Sequence, residues 1–267
     1  MAIIVADTTT ASPSAASVCR SIIGFDSILP SSTVTGDSAD TNNPFSNCLD
    51  YRDNTKYSPS ATSGTVVIEF TQPSVKEINY FAFAIHNSQG AGLTGSYEVD
   101  SGAGYVTVAE FASLTNNKPF VKYFDPVSTA RQKLTLTFTS KLYIGTIYTG
   151  KAIVMDRTPS LGFQPAKFAS LDTVEQAVTQ GNNFIVGRRE KRGHQAKAAF
   201  RYVAFDDLDT WYSDFSDHVL DSKPIFFKWS EVKDETIYGL QNYKTLTKPT
   251  YVTSNHADIS IEVNGYI

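Results

Sequence analysis

Residues 205–220, FDDLDTWYSDFSDHVL, and the segment SKPIFFKW at 222–229 decide how the second half of this chain folds. Five apolar residues recur there at the spacing of a single helix face: Leu208, Trp211, Tyr212, Phe215 and Val219. Asp206 or Asp207 is expected to cap this helix, and Pro224 to prevent it from continuing. The pattern predicts that the aromatic stripe packs on a β-sheet as scaffolding and lines no reaction pocket.

The remainder of the chain has the sequence pattern of β-strands. Runs rich in β-branched and aromatic residues are separated by turn-forming residues. They predict strands at 65–70, 78–85, 95–100, 105–111, 121–124, 131–139 and 142–149, and then at 184–190, 195–203, 225–229, 236–240 and 257–266. In one of these runs Leu134, Leu136 and Phe138 alternate with threonines, which is the period of a half-buried strand. The seven runs from 65 to 149 are short strands with no helix between them, which predicts a mainly β protein with antiparallel sheets.

Two prolines and a glycine at 159–165 mark a predicted domain boundary. The prediction assigns residues 1–157 to an antiparallel jelly-roll sandwich and residues 158–165 to a linker. Residues 166–267 form a second β-domain with its helix at 206–220.

The composition excludes several classes of protein. The formal net charge is −4, which argues against a general nucleic-acid binder because such proteins need a basic surface for phosphate. No apolar run approaches the roughly 20 residues that span a bilayer, so no membrane insertion is expected. The segment Met1–Thr8 lacks the features of a secretory signal. Cys19 and Cys48 permit at most one bridge, and the sequence favours free thiols in a reducing cytosol.

Residues 48–100 resemble the galactose-binding-like jelly rolls of the discoidin type. Four segments carry the resemblance: NCLD at 47–50, TSG at 62–64, VVIEF at 66–70 and AFAIHN at 82–87. Residues 184–267 resemble the tail-tube-like domains of tail-end proteins of long-tailed bacteriophages, and DISIEV at 258–263 is similar to their closing strand. The resemblance implies an N-terminal jelly-roll sandwich and a C-terminal tail-tube-like β-sandwich or barrel with one α-helix.

The resemblance to phage proteins implies a structural role in a virion. The expected function is that of a tail-tip or baseplate ring subunit, such as a distal tail protein, that links the tail tube to distal parts. Its partners would be further copies of itself in a ring homo-oligomer and other phage tail proteins. Its location would be the virion tail, after synthesis in the host cytoplasm.

A carbohydrate-binding module that engages host surface glycans is the alternative hypothesis. Aromatic residues such as Tyr57, Tyr97 or Tyr105 would contact the sugar. No nucleophile motif, zinc-binding spacing or phosphate-binding glycine loop is present in the sequence. We therefore expect that the chain is not an enzyme and that it has no catalytic residue and no cofactor.

A basic cluster between Gly187 and Gly193 is the candidate subunit interface: Arg188, Arg189, Lys191 and Arg192. At a hairpin tip these cations would contact an acidic patch on the next subunit of a ring. A solvated turn is the simpler explanation, and contact with DNA in a tail lumen is a third.

Two further groups of residues allow more than one interpretation. The Asp37–Asp53 loop region is rich in oxygen ligands, so a structural calcium site is an alternative to the favoured turn-forming role. The His86-Asn87 pair at a strand end could bind a ligand, but a structural role is favoured because asparagine often satisfies the backbone at a strand exit.

Overall fold

The computed structural model describes residues 20–36, 38–52, 54–112, 114–155, 157–160, 162–171, 173–178, 184–190, 193–231, 233, 235–242 and 248–267, with backbone only at 173–178 and 184–190. Its first strands are β1 Ser21–Gly24, β2 Thr33–Thr35, β3 Gly64–His86, β4 Thr94–Asp100, β5 Tyr105–Phe111, β6 Phe120–Phe138, β7 Ile144–Gly150 and β8 Ile153–Met155. The later strands are β9 Thr173–Val178, β10 Phe184–Glu190, β11 His194–Ala204, β12 Ile225–Lys228, β13 Thr236–Gln241, β14 Thr250–Thr253 and β15 His256–Tyr266. The α-helices are α1 Ser88–Ala91 and α2 Phe205–Leu220. The prediction of a mainly β, antiparallel fold is confirmed.

Strands β2 to β7 form a jelly-roll sandwich from one bent sheet. Its order is β2-β3-β6-β4-β5, and β7 also pairs with β3. Strand β3 pairs with β6 along most of its length, with register shifts after Thr71 and Ile78. Phe81 in the later part of β3 stacks on Tyr97 of β4 at a centroid distance of 4.5 Å, so the two parts of the sheet face each other across a core. The four strands predicted at 65–70, 78–85, 121–124 and 131–139 are therefore two long strands, because pairing continues through the bends.

The second sheet draws strands from both ends of the described chain. Its order is β11-β15-β13-β12-β1-β8, with β14 also on β15. Ile22 of β1 is opposite Lys228 of β12 on one side and Val154 of the edge strand β8 on the other. The strands that precede and follow the sandwich in sequence thus lie side by side in this sheet. The division at 158–165 remains a prediction, and it does not coincide with sheet membership because β1 and β8 precede it.

Helix α2 packs its apolar side against the second sheet, as the sequence predicts. Leu208, Phe215 and Val219 are buried, and the Phe215 ring meets the Phe25 ring edge-on at 5.4 Å. The predicted side-chain cap is wrong: Ala204 occupies the cap position, and no side chain accepts a hydrogen bond there. The two candidate caps lie in the first turn instead, where their charges suit the positive end of the helix dipole.

A shared core joins the sandwich to the second sheet. Its buried residues come from β1, β3, β6, β7, β12, β13 and the turn before β8: Ile22, Tyr80, Ala82, Ala84, Val121, Tyr148, Ala152, Phe226 and Tyr238. The Tyr148 ring lies edge-on to the Phe226 ring at 5.2 Å, and its hydroxyl donates to the Pro224 carbonyl at 3.1 Å. The Tyr80 hydroxyl donates to the Asp26 carbonyl. These contacts fix the two β layers against each other.

Candidate functional site

Two adjoining cavities open at the end of the sandwich where the loops before β3, after β3 and before β7 meet. Each has a volume of about 430 Å³. The first is lined by Asn42, Asn43, Asn47, Asn54, Thr55, Lys56 and Tyr143. The second is lined by Lys56, Ile85, His86, Asn87, Asn117, Pro119, Tyr143, Tyr266 and Ile267. Because both include Lys56 and Tyr143, they form one depression, which we call the loop-end site.

The pairing of Tyr57 with Ile144 explains why Lys56 and Tyr143 face outward. Their neighbours Tyr57 and Ile144 pair through two backbone hydrogen bonds of 2.8 and 3.0 Å, and both of these side chains are fully buried. Since successive side chains in extended backbone point to opposite sides, Lys56 and Tyr143 project away from the core. Tyr143 is 37% exposed.

Asn87 holds the segment that carries Tyr143. Its side-chain amide donates to the Lys141 carbonyl at 2.8 Å, and its side-chain carbonyl accepts from the Tyr143 N–H at 2.7 Å. Both functional groups of this amide are therefore used inside the protein. The structural role that the sequence favours for Asn87 agrees with this geometry.

His86 also supports the site rather than presenting a free ring. One ring nitrogen, Nε2, lies 2.8 Å from the Lys118 carbonyl, and Nδ1 lies 2.5 Å from the Ser88 hydroxyl. Burial lowers the pKa of His86 to about 4, and the hydrogen bond to the Lys118 carbonyl opposes this effect only in part. The imidazole is thus neutral near pH 7 and tethers the loop before β6.

The exposed groups of the loop-end site are mainly amides. Within the described residues, the side chains of Asn42, Asn43 and Asn54 have no hydrogen-bond partner in the protein. Each amide offers two N–H donors and one carbonyl acceptor. Together with the Tyr143 ring and the Lys56 ammonium group, they form a polar surface with one aromatic face. No carboxylate side chain is among the described residues that line it.

The aromatic residues that the sequence proposed for sugar contact lie elsewhere. Tyr57 and Tyr97 are fully buried, and the Tyr97 hydroxyl donates to the Thr149 hydroxyl, so neither can be a ligand platform. Tyr105 is half-buried under the Lys133 ammonium group, which lies 4.6 Å from its ring centroid. Sequence reasoning missed Tyr143, although its position between the apolar Leu142 and Ile144 is a signal for an outward-facing residue.

The acid-rich loop uses its described carboxylates to hold turns. Asp40 accepts the Asn42 N–H at 3.0 Å and lies 3.5 Å from the Lys141 ammonium group. Asp50 accepts the Arg52 N–H at 3.0 Å. Asp37 and Asp53 lie outside the described residues. Within the described part of the chain, no group of three His, Cys, Asp or Glu residues is placed to hold a metal ion.

The basic cluster is only partly described. The backbone of Arg188 and Arg189 lies in strand β10, opposite Glu175 and Val174 of β9. The ladder continues to Glu190, so these two arginines are strand residues and do not form a hairpin tip. Lys191 and Arg192 lie outside the described residues, and the interface remains a prediction.

The predicted free thiols can be checked at one of the two cysteines. Cys19 lies outside the described residues, while Cys48 is buried and its thiol donates to the Phe45 carbonyl at 2.9 Å. Among the described residues, no helix has the length and apolar character needed to cross a bilayer.

A second depression, the junction cleft, lies between helix α2 and the sandwich. Its volume is about 600 Å³, and its lining includes Asp26, Trp211, Asp214, Asp217 and His218. The half-buried Trp211 therefore borders this cleft, and the expectation that the aromatic stripe lines no reaction pocket stays a prediction. The sequence could not show the cleft, because the opposite wall belongs to the sandwich.

Burial shifts the pKa of two groups in the junction cleft. It raises the pKa of Asp26, and the nearby His218 opposes the shift. It also lowers the pKa of His218, whose Nε2 lies 3.1 Å from the Pro224 carbonyl. The remaining carboxylates line the same side of α2, which is the ordinary solvated face of an amphipathic helix.

The described residues thus define a mainly β protein with a jelly-roll sandwich and a polar site at its loop end. No protein-family model matches the sequence, and comparison with curated proteins found no match. Among solved structures, the chain is similar to a family 32 carbohydrate-binding module of C. perfringens NanJ in complex with galactose. The identity is 15%, the TM-score 0.39, and the match covers 48% of this chain and 98% of that one.

Two other solved structures are similar at the same level. A chitosan-binding module from a chitosanase/glucanase of Paenibacillus sp. IK-5 has 15% identity and a TM-score of 0.40, over 47% of this chain and 99% of that one. A putative alpha-L-fucosidase from Bacteroides thetaiotaomicron has 17% identity and a TM-score of 0.42, over 48% of this chain. The match spans 29% of the fucosidase and 28% of another longer structure, SpGH29.

Proposed function

We propose that this protein binds carbohydrate, without catalysis, at the loop-end site. The observation that carries the proposal is the combination of the exposed Tyr143 ring with the unengaged amides of Asn42, Asn43 and Asn54. Sugars present hydroxyl groups at their edges and apolar C–H groups on their faces. Amides can donate to and accept from hydroxyls, and an aromatic ring packs against an apolar face.

Hydrogen bonds from buried and half-buried residues hold the backbone of the loop-end site, which favours a preformed surface. Asn87 fixes the backbone of Tyr143, while the Tyr57–Ile144 pair fixes the segment of Lys56 from below. A binding group held in place loses little conformational entropy when the ligand arrives. The backbone segments of Tyr143 and Lys56 are therefore positioned before binding, which favours a site with a defined shape.

Replacement of the exposed ring is the direct test. Tyr143→Ala is expected to weaken glycan binding by about tenfold or more, since removal of an aromatic anchor costs about 1–2 kcal/mol or more. A glycan array identifies the ligand, and titration calorimetry compares the variant with the parent protein. Tyr251→Ala is the matched control, because Tyr251 is 76% exposed on β14, away from the loop-end site. Absence of glycan binding, or equal binding by Tyr143→Ala, overturns the proposal.

Assembly into a virion ring is a second proposal. The observation that favours it is strand β14, whose four residues are all exposed and include Tyr251. Exposed strands with accessible backbone groups can pair with a neighbouring chain. In a phage tail tip the partners would be further copies of this chain and other tail proteins. Size-exclusion chromatography with light scattering is expected to give the mass of a closed oligomer, and a monomer at about 100 µM would contradict ring assembly under the usual affinity of such interfaces.

A further inference from the structure

One loop connects the loop-end site to the shared core. Residues 50–52 and 54–56 form its described part, and we call it the anchor loop. Tyr51 packs against the shared core, while Asn54 and Lys56 line the loop-end site. We propose that Tyr51 is a positioning residue for the loop-end site, because contact of its ring with the shared core and helix α2 fixes where Asn54 lies. The inference rests on the proposed carbohydrate-binding function.

The two ends of the anchor loop are fixed by the sandwich. Tyr57, the residue after the loop, is fully buried and pairs with Ile144 through backbone hydrogen bonds of 2.8 and 3.0 Å. Cys48, two residues before the loop, is buried in the sandwich core. The Thr55 hydroxyl lies 3.0 Å from both carboxylate oxygens of Asp50, so one side chain of the loop ties its end to its beginning. The turn between these points is where Tyr51 lies.

The backbone of Tyr51 is strained, and its ring contacts maintain the strain. Its φ of 62° falls in the left-handed region that non-glycine residues seldom adopt. The ring meets the Tyr148 ring edge-on at 5.5 Å and the His218 ring edge-on at 6.4 Å. It therefore lies between strand β7 of the sandwich and helix α2. A tyrosine without these contacts would relax toward negative φ, because a strained conformation persists only where its surroundings hold it.

Asn54 is the binding group that depends on this contact. Its side chain is exposed and has no hydrogen-bond partner among the described residues, so the backbone sets its position. A change of φ at Tyr51 redirects the chain three residues before Asn54. Hydrogen bonds weaken steeply with distance and angle, so a small shift of the amide suffices to lose its bonds to a ligand. Lys56 is less sensitive, because its neighbour Tyr57 is held by Ile144.

A double-mutant cycle tests whether Tyr51 acts through Asn54. Asn54→Ala is expected to weaken glycan binding by about fivefold, the loss expected for one hydrogen bond. Tyr51→Ala is expected to weaken it by about three- to fivefold, although Tyr51 is not among the described residues that line the loop-end site. The double variant is expected to bind as Asn54→Ala does. Separate effects that multiply to more than about tenfold would mean that the two residues act independently, and the proposal would be wrong.

Two further substitutions separate the ring from the backbone. Tyr51→Phe keeps both edge-on contacts and is expected to bind within about twofold of the parent protein. Tyr51→Gly tolerates a positive φ but has no ring, so it is expected to bind as weakly as Tyr51→Ala. Parent-like affinity of Tyr51→Gly would show that backbone conformation alone places Asn54. A loss in Tyr51→Phe equal to that in Tyr51→Ala would assign the effect to the hydroxyl group. Either result contradicts an anchoring role for the ring.

Tyr123→Ala is the matched control for general effects on folding. Tyr123 is a second half-buried tyrosine that packs against the shared core, but it lines the junction cleft on the other side. Its loss is expected to lower stability and to leave glycan binding unchanged. Equal weakening by Tyr123→Ala would show that any loosening of the shared core impairs binding, which overturns a specific role for Tyr51.

The outcomes also separate this inference from the proposed function. If Tyr51→Ala binds glycan like the parent protein while Tyr143→Ala does not, the positioning role is refuted and the proposed function stands. Absence of any glycan binding by the parent protein refutes both. Calorimetric titration of the folded variants with the ligand found on the glycan array supplies all of these affinities.

Discussion

Phe226→Ala is expected to lower the free energy of unfolding by about 3–5 kcal/mol, as large-to-small substitutions at buried phenylalanines do. Phe226 is fully buried in the shared core, where its ring lies 5.2 Å from the Tyr148 ring and 4.7 Å from the Tyr238 ring. Tyr148 belongs to the sandwich and Tyr238 to the second sheet. The cavity left by the substitution would therefore loosen the contact between the two layers as well as the sheet itself.

Denaturant unfolding can measure this loss with two probes. Circular dichroism reports on all strands, whereas fluorescence reports on Trp211 and Trp229, the two tryptophans of the sequence, which both pack against the core of the second sheet. The two curves are expected to coincide for the parent protein and to separate for Phe226→Ala. Phe168→Ala is the matched control: Phe168 is 75% exposed, and its loss is expected to change stability by less than about 0.5 kcal/mol. A loss below about 1 kcal/mol for Phe226→Ala would contradict the importance of the shared core.

Stability is expected to fall by up to about 3 kcal/mol as the pH is lowered from 6.5 to about 4, because His86 is held neutral in the folded protein. The pKa of His86 falls from 6.5 to about 4 on folding. Between these values the unfolded chain binds a proton that the folded chain does not. The contribution of His86 is therefore fully present above pH 6.5 and is lost as the pH falls toward 4.

Burial of the ring is the cause of the lowered pKa, and the hydrogen bond from Nε2 to the Lys118 carbonyl opposes it only in part. The Ser88 N–H and the Ser88 hydroxyl both approach Nδ1, so this atom acts as an acceptor. Protonation of Nδ1 would remove that acceptor from a ring that is largely buried. Unfolding free energies at pH 7 and pH 4.5 are to be compared for the parent protein and for His86→Asn. The variant is expected to be less stable at pH 7 but to lose less between the two values, and an equal loss would show that other groups cause the pH dependence.

The candidate site combines residues that sequence reasoning treated separately. Asn42 and Asn43 belonged to a possible calcium loop, and Asn87 to a strand exit. The structure brings these segments to one end of the sandwich together with Tyr143, which no motif singled out. The favoured aromatic residues Tyr57 and Tyr97 proved to be buried, because a tyrosine in a strand is equally compatible with the inner and the outer face until its pairing is known.

Local patterns in the sequence determined the strands, the antiparallel class and helix α2, since side-chain periodicity and turn chemistry depend only on near neighbours. Local patterns could not show that residues 65–70 and 78–85 belong to one strand, β3, because the bend between them is held by pairing with β6. They also could not assign β1 to the second sheet, since its partner β12 lies some 200 residues later in the chain. The loop-end site has the same origin: Lys56 and Tyr143 become neighbours because Tyr57 pairs with Ile144, so tertiary packing alone created the surface on which the proposed ligand would lie.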